Sequence, residues 1–170
     1  TRPFRLTDLF KFNNVNLDPL TETYHMSFYM QYLAKWPEYF MATRAPGSER
    51  LTGYVMGKVE GVGENWHGHV TAVTVSPDYR RLGCAQNLMK FLEDVSEHVH
   101  NGYFVDLYVR KSNDVAIGMY TKLGYSRYRE VIGYYSGEEN AYDMRKALPR
   151  DVHKKSIIPL PAPVHPGPND

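Results

Sequence analysis

Residues 67 to 109 change periodicity twice, and that restricts the fold more than any other feature of the chain. "HGHVTAVTVS" (67–76) is rich in Val and Thr and reads as a strand. From Cys84 to about Val99, Leu88, Phe91, Leu92 and Val95 recur at i, i+3, i+4 and i+7, the apolar stripe of a helix. "YFVDLYV" (103–109) returns to a strand pattern. Such a helix must bury its stripe against another layer of structure. Upstream, "EYFMATR" (38–44) and "RLTGYVMGKVE" (50–60) are strand-like, and the second pairs with 67–76 as a hairpin around "GVGEN". Downstream, a helix from about Asp114 to Leu123 is closed by Gly124. Two strands, "YSRYREVIGYY" and "AYDMRKAL", follow around "SGEEN". The order predicts a mixed α/β fold of the α+β kind with a largely antiparallel sheet.

The N-terminal third is less regular. "RPFRL" reads as a short strand, and Thr7 and Asp8 offer caps for a helix over "LFKFNNVNL". Asp18-Pro19 breaks that helix, and "TETYHMSFYMQYLAKW" begins another. From Met26 to Trp36 the clearly polar residues are Ser27, Gln31 and Lys35, one narrow stripe. Such a helix is either buried on several sides or covered in part by another protein. From Lys154 the chain reads "KKSIIPLPAPVHPGPND", an extended proline-rich tail. The expected organisation is one domain over residues 1–150 and a tail over 151–170.

Composition removes several classes. With 20 basic and 19 acidic residues the net charge is +1, which argues against bulk nucleic-acid binding. No apolar run approaches the roughly 20 residues that span a bilayer. The opening "TRPFRLTDLF" does not read as a secretory leader. A single cysteine, Cys84, precludes an internal disulfide and fits a reducing, cytoplasmic setting. His67, His69 and Cys84 match no usual zinc spacing.

The stretch "SPDYRRLGCAQ" lies where the strand gives way to the helix. A helix start exposes unpaired amides with positive potential, and Arg80 and Arg81 add fork-shaped donors suited to phosphate. Gly83 allows close backbone approach. Read alone, the stretch is either a phosphate loop or a helix start with two solvated arginines. Two other phosphate motifs fail. Val59 follows Gly57-Lys58 where a P-loop needs Ser or Thr, and Trp66 replaces the last glycine of a GxGxxG beginning at Gly61.

Arg80-x-x-Gly83-x-Ala85 resembles the acetyl-coenzyme A loop, (Q/R)-x-x-G-x-(G/A), of the GNAT acetyltransferase superfamily. Asn113, Ala116, Tyr120, Gly124 and Tyr125 resemble that superfamily's later N-x-x-A-x-x-x-Y-x-x-x-G-(F/Y) segment. Beyond these motifs, "LDPLTETYHMSFYMQYLAKWPEYF", "WHGHVTAVTVSPDYRRLG", "YFVDLYVR" and "AYDMRKAL…KKSIIPLP" resemble the family of NatB catalytic subunits, across nearly the whole chain. Those enzymes acetylate the α-amine of proteins beginning Met-Asp, Met-Glu, Met-Asn or Met-Gln.

The resemblance implies a GNAT fold, with about seven strands flanked by four helices, and acetyl-CoA as cosubstrate. It places the cofactor along Val70 to Val75, with Val73 and Val75 lining it, and its diphosphate on the amides of Leu82, Gly83, Cys84 and Ala85, flanked by Arg80 and Arg81. Tyr120 would assist thiolate departure in a direct transfer, and Asn113 would sit near the pantetheine or the substrate while capping its helix. Glu22 is a candidate base, beside Tyr24 in the peptide-binding loop. His69 and Thr71, two apart on a strand and so on one side, would offer donors to the second substrate residue. Of Tyr134 and Tyr135, one should face the peptide and the other away. The resemblance also implies a large helical-repeat auxiliary subunit that contacts ribosomes. The apolar helix 26–36, with Phe10 and Phe12, would dock on it. Two alternatives stay open: a GNAT enzyme acting on lysine or a small amine, and a non-catalytic GNAT-fold interaction module.

Overall fold

The computed structural model describes residues 1–16 and 22–167, so the predicted break at Asp18-Pro19 lies outside the described residues. Seven strands form one sheet: β1 (Arg2–Pro3), β2 (Met41–Arg44), β3 (Leu51–Glu60), β4 (His67–Val75), β5 (Phe104–Arg110), β6 (Ser126–Tyr135) and β7 (Glu139–Ala147). Their spatial order is β1-β2-β3-β4-β5-β7-β6. Every neighbouring pair is antiparallel except β4 and β5. Among the described residues the α-helices are three, α1 (Met26–Lys35), α2 (Cys84–His98) and α3 (Asp114–Lys122), where four helices were expected.

The missing helix is the first. Only Leu6–Phe10 coils, as a single 3-10 segment, with Asp8 bonding the Arg5 amide and the Arg2 guanidinium. Phe12 then turns inward, edge-on to Phe4 and Tyr29, and is 5% exposed. It belongs to the core and offers nothing to a partner, whereas Phe10 is 78% exposed. The stretch 38–44 likewise begins as a 3-10 turn at Pro37–Tyr39, because Pro37 sets a helical φ there.

The sheet has a core on each face. On one, α1 lays Tyr29 and Tyr32 over Phe40, Tyr54 and Met56. On the other, α2 and α3 cover Val55, Val70, Val105 and Leu107 with Leu88, Leu92, Ile117 and Tyr120. Met26 and Met30 of α1 remain well exposed, so that helix is buried along one side only. Helix α2 comes so close to β4 that a Cβ on Gly68 would stand 2.0 Å from Ser96 Oγ. That hydroxyl is held by Tyr39 at 3.0 Å and by the Leu92 carbonyl at 2.8 Å.

The proline-rich tail lies on the domain. The Leu160 and Val164 amides donate to the Tyr128 and Glu130 carbonyls, and the Ile132 amide donates to Val164. The tail thus covers the edge that β6 would otherwise present.

Replacing Gly68 by Ala is expected to lower stability by about 1–3 kcal/mol through overpacking, read as a reduced urea-unfolding midpoint.

Candidate active site

Strands β4 and β5 pair at Gly68–Val105, His69–Asp106 and Val70–Leu107, and nowhere beyond. On its other side β4 stays paired with β3 as far as Val75, while β5 stays paired with β7 through Arg110. The two strands therefore part after Val70, leaving the β5-facing edge of Thr71 to Val75 without a strand. At the same point β4 carries a bulge. Met56 opposes Ala72 and Gly57 opposes Val70, so Thr71 is the extra residue. The bulge puts Thr71 and Ala72 on the α1 face, and Val73 and Val75 on the α2 face.

The loop expected to hold a diphosphate opens above this edge. Arg81 (φ 61°) and Gly83 (φ 78°) both adopt left-handed backbone ahead of α2. Gly83 is required by that φ rather than by crowding, since a Cβ there would meet nothing within 4 Å. The first amides of α2, at Cys84 and Ala85, have no acceptor within the helix. Leu82 is largely exposed beside them. Arg80 folds back, its Nε donating to the Val75 carbonyl at 3.2 Å, and so fixes the loop to the end of β4.

From the α3 side, Tyr120 sits in the same buried cluster as Val70, Val75, Leu107 and Val109. No group among the described residues hydrogen-bonds its hydroxyl, and burial alone pushes its pKa up. Asn113 caps α3, accepting from the Ala116 amide at 3.1 Å.

On the α1 face, the loop before α1 is tied down twice. Tyr24 Oη donates to the Thr71 carbonyl (3.4 Å), and Glu22 pairs with Arg110 at 2.5 Å. Thr71 Oγ1 donates to the Tyr32 hydroxyl at 3.0 Å. Arg110 also holds Glu139 at 3.0 Å and lies 4.1 Å from the centroid of the Tyr135 ring. Tyr134 stacks on Tyr108 at 4.5 Å, and Tyr135 donates to the Tyr108 carbonyl at 3.3 Å. Both tyrosines therefore pack onto β5, contrary to the expected alternation. The cause is a bulge at Gly133 (φ 62°), where three residues, 132–134, oppose Asn140 alone.

His69 and Thr71 do share a face. His69 Nδ1 lies 2.8 Å from Asp106 Oδ1, and His67 Nε2 lies 3.4 Å from Oδ2 of the same carboxylate. Burial opposes charge on both His67 and Asp106. The hydrogen bond and attraction between them outweigh it, raising the His67 pKa. The two imidazoles hold Asp106 well below the usual carboxylate range. Asp143 lies on the same face between Arg129 (2.8 Å) and Arg145 (3.0 Å). Its pKa is raised, first by burial and then by the nearby Asp106 charge.

Sequence reasoning missed Asp106, Tyr108 and Arg110. A signal existed: in "FVDLYVR" they fall at every second position, a polar face on a strand that otherwise reads as buried.

The acetyltransferase (GNAT) family profile matches residues 6–125. A Dictyostelium discoideum protein named N-alpha-acetyltransferase 20 is 63% identical, over 97% of this chain and 95% of its own. An Arabidopsis thaliana protein named N-terminal acetyltransferase B complex catalytic subunit NAA20 is 62% identical, over 97% and 94%. The crystal structure of Chaetomium thermophilum Naa20 in complex with a bisubstrate analogue superposes with a TM-score of 0.91. It is 41% identical, over 97% of this chain and 96% of that one.

The sign of pH dependence follows from the buried pair. His67 has a raised pKa, so its contribution to stability is full below about pH 6.5 and is lost as pH rises through the folded value. Asp106 has a lowered pKa, so its contribution is full above about pH 4 and is lost on acidification. Unfolding free energy is expected to fall as pH rises above about 6.5. His67→Gln should flatten that fall, as followed by urea unfolding at each pH.

Proposed function

The chain belongs to the GNAT acetyltransferase family, and from that premise we propose that it is the catalytic subunit of a NatB-type N-terminal acetyltransferase. It transfers acetyl from acetyl-CoA to the α-amine of proteins beginning Met-Asp, Met-Glu, Met-Asn or Met-Gln. The observation that carries the reading is the parting of β4 from β5 after Val70. It leaves main-chain donors and acceptors at Thr71–Val75 for an extended ligand that itself carries amides, as pantetheine does.

The residues present fit acetyl-CoA. The Val73 and Val75 backbone would pair with the pantetheine arm. The amides from Leu82 to Ala85 would take the diphosphate, with Arg80 and Arg81 beside it. When bound, the cosubstrate supplies an activated acetyl thioester. Tyr120, its hydroxyl otherwise unpartnered among the described residues, donates to the departing thiolate. Asn113 holds the start of α3, and so the helix that carries Tyr120, in place.

The nucleophile is the substrate's own amine. Its reference pKa near 8, against about 10.4 for lysine, leaves a useful neutral fraction at neutral pH. A strong protein base is therefore unnecessary. Glu22, paired with Arg110, is assigned to anchoring the peptide loop rather than to taking the proton. Tyr24, Tyr134 and Tyr135 wall the peptide backbone, while His69 and Thr71 face its second residue.

The relative from Arabidopsis thaliana carries the name of a complex subunit. Leu6, Phe10, Met26 and Met30 are exposed apolar side chains of the kind a large helical auxiliary subunit would cover. Through that partner the enzyme would reach the ribosome, in the cytoplasm. Among the described residues no helix is long and apolar enough to cross a membrane.

A panel of Met-Asp, Met-Leu and Ser-Glu peptides with acetyl-CoA tests the reading. Met-Asp should be acetylated well ahead of the others, and equal rates would overturn it. Tyr120→Phe is expected to lower kcat by roughly a hundredfold or more with little change in peptide KM. An unchanged kcat would remove the tyrosine from the chemistry.

A further inference from the structure

The proline-rich tail is fastened to the sheet at two places. At its start, the Asp151 carboxylate accepts from the Lys155 amide at 3.0 Å and from the Ser156 amide at 2.9 Å. Arg145 of β7 donates to the Ser156 carbonyl at 3.5 Å. Further on, the Leu160 amide donates to the Tyr128 carbonyl at 2.7 Å, and the Val164 amide to the Glu130 carbonyl at 2.9 Å. Val164 thereby lies parallel to Val131 of β6. In "PLPAPV" (159–164) proline takes every odd position, so only the even ones carry an N–H. Leu160 and Val164 spend theirs on β6, and the prolines offer no donor to a further strand.

The second fastening meets a weak point of the sheet. Pairing between β6 and β7 lapses after Val131 and resumes at Tyr135. Inside that gap the Ile132 amide donates to the Val164 carbonyl at 2.9 Å. Glu130, whose carbonyl takes the Val164 amide, accepts from Asn140 Nδ2 at 2.7 Å through its side chain. Asn140 Oδ1 in turn accepts from the Gly133 amide at 2.9 Å. The next two residues are Tyr134, stacked on Tyr108, and Tyr135, bonded to the Tyr108 carbonyl. A run of hydrogen bonds therefore leads from the tail to both tyrosines.

Resting on the function proposed above, in which Tyr134 and Tyr135 wall the peptide backbone, we propose that the tail is a positioning segment for the reaction. Leu160 and Val164 clasp β6 and so set the β6–β7 hairpin against the peptide. With three residues opposite one at the Gly133 bulge, β7 alone leaves the hairpin free to slip or open. The tail binds the other edge of β6 where that freedom begins. The cosubstrate edge, Thr71–Val75 of β4, is separated from β6 by β5 and β7. Loosening the tail is therefore a defect of the peptide side and not of the cosubstrate side.

The test removes the two amides without shortening the chain. Leu160→Pro combined with Val164→Pro abolishes both donors to β6, whereas Leu160→Ala combined with Val164→Ala keeps them. KM is measured for a Met-Asp peptide and for acetyl-CoA, and amide hydrogen exchange is followed over residues 132–138. In the proline pair the peptide KM is expected to rise by roughly threefold to tenfold, the effect of one or two lost hydrogen bonds. The acetyl-CoA KM should stay parental, and exchange over the hairpin should quicken. Val164→Pro alone should show the same split at smaller size, and the alanine pair should behave as the parent does. A parental peptide KM in the proline pair overturns the proposal. So does an equal rise in both Michaelis constants, the sign of a general loss of fold, or an alanine pair as impaired as the proline pair. If the parent acetylates no Met-Asp peptide, the function proposed above falls instead. The clasp is then judged by exchange, and hairpin amides that keep their parental rates in the proline pair overturn it.

Discussion

The three-residue pairing of β4 with β5 is the constraint on which the site depends. A parallel pair inside a sheet normally continues for the length of both strands, because each unmet amide or carbonyl that is buried costs about as much as a lost hydrogen bond. Here each strand is held elsewhere: β4 by β3, through the bulge at Thr71, and β5 by β7. The parting makes a cleft whose wall is main chain and whose mouth is the amino end of α2. Tyr120 reaches the cleft from one sheet face, and Tyr24, Thr71 and His69 line the other. Two substrates entering from opposite faces could meet there without either being enclosed.

The α1 side of the sheet carries a buried electrostatic pattern that the net charge of +1 conceals. Two carboxylates, Asp106 and Asp143, lie within the sheet face and are balanced by His67, Arg129 and Arg145. Removing one partner of such a group costs roughly 3–5 kcal/mol, because it strands the other's charge. The network therefore ties β4 to β5 and β6 to β7 on one face of the sheet. Arg110 does the equivalent at the far end, joining the loop before α1 to the β6–β7 hairpin through Glu22 and Glu139.

Much of this was legible in the chain. Strand and helix periods placed β3, β4, β5, β6, β7, α2 and α3 within a residue or two, and Asn113 caps α3 as its side chain suggested. What escaped reading depends on contacts distant in sequence. The capped segment after Thr7 offers Phe12 and Val15 to the tyrosines of α1, and that packing wins over helix continuation. Bulges break the alternation on which side-chain direction is argued. Gly133 hinted at one, while nothing within "HVTAV" hints at the other. Asp106 read as an ordinary strand residue because its partners, His67 and His69, lie on a different strand.

Amide hydrogen exchange with and without acetyl-CoA tests the account at its root. If the open edge of β4 and the mouth of α2 hold the cosubstrate, slowing should concentrate at Thr71–Val75 and Leu82–Ala85. The Phe104–Leu107 half of β5, already paired with β7, should change little. Binding that leaves those two segments exchanging at their original rates would contradict it.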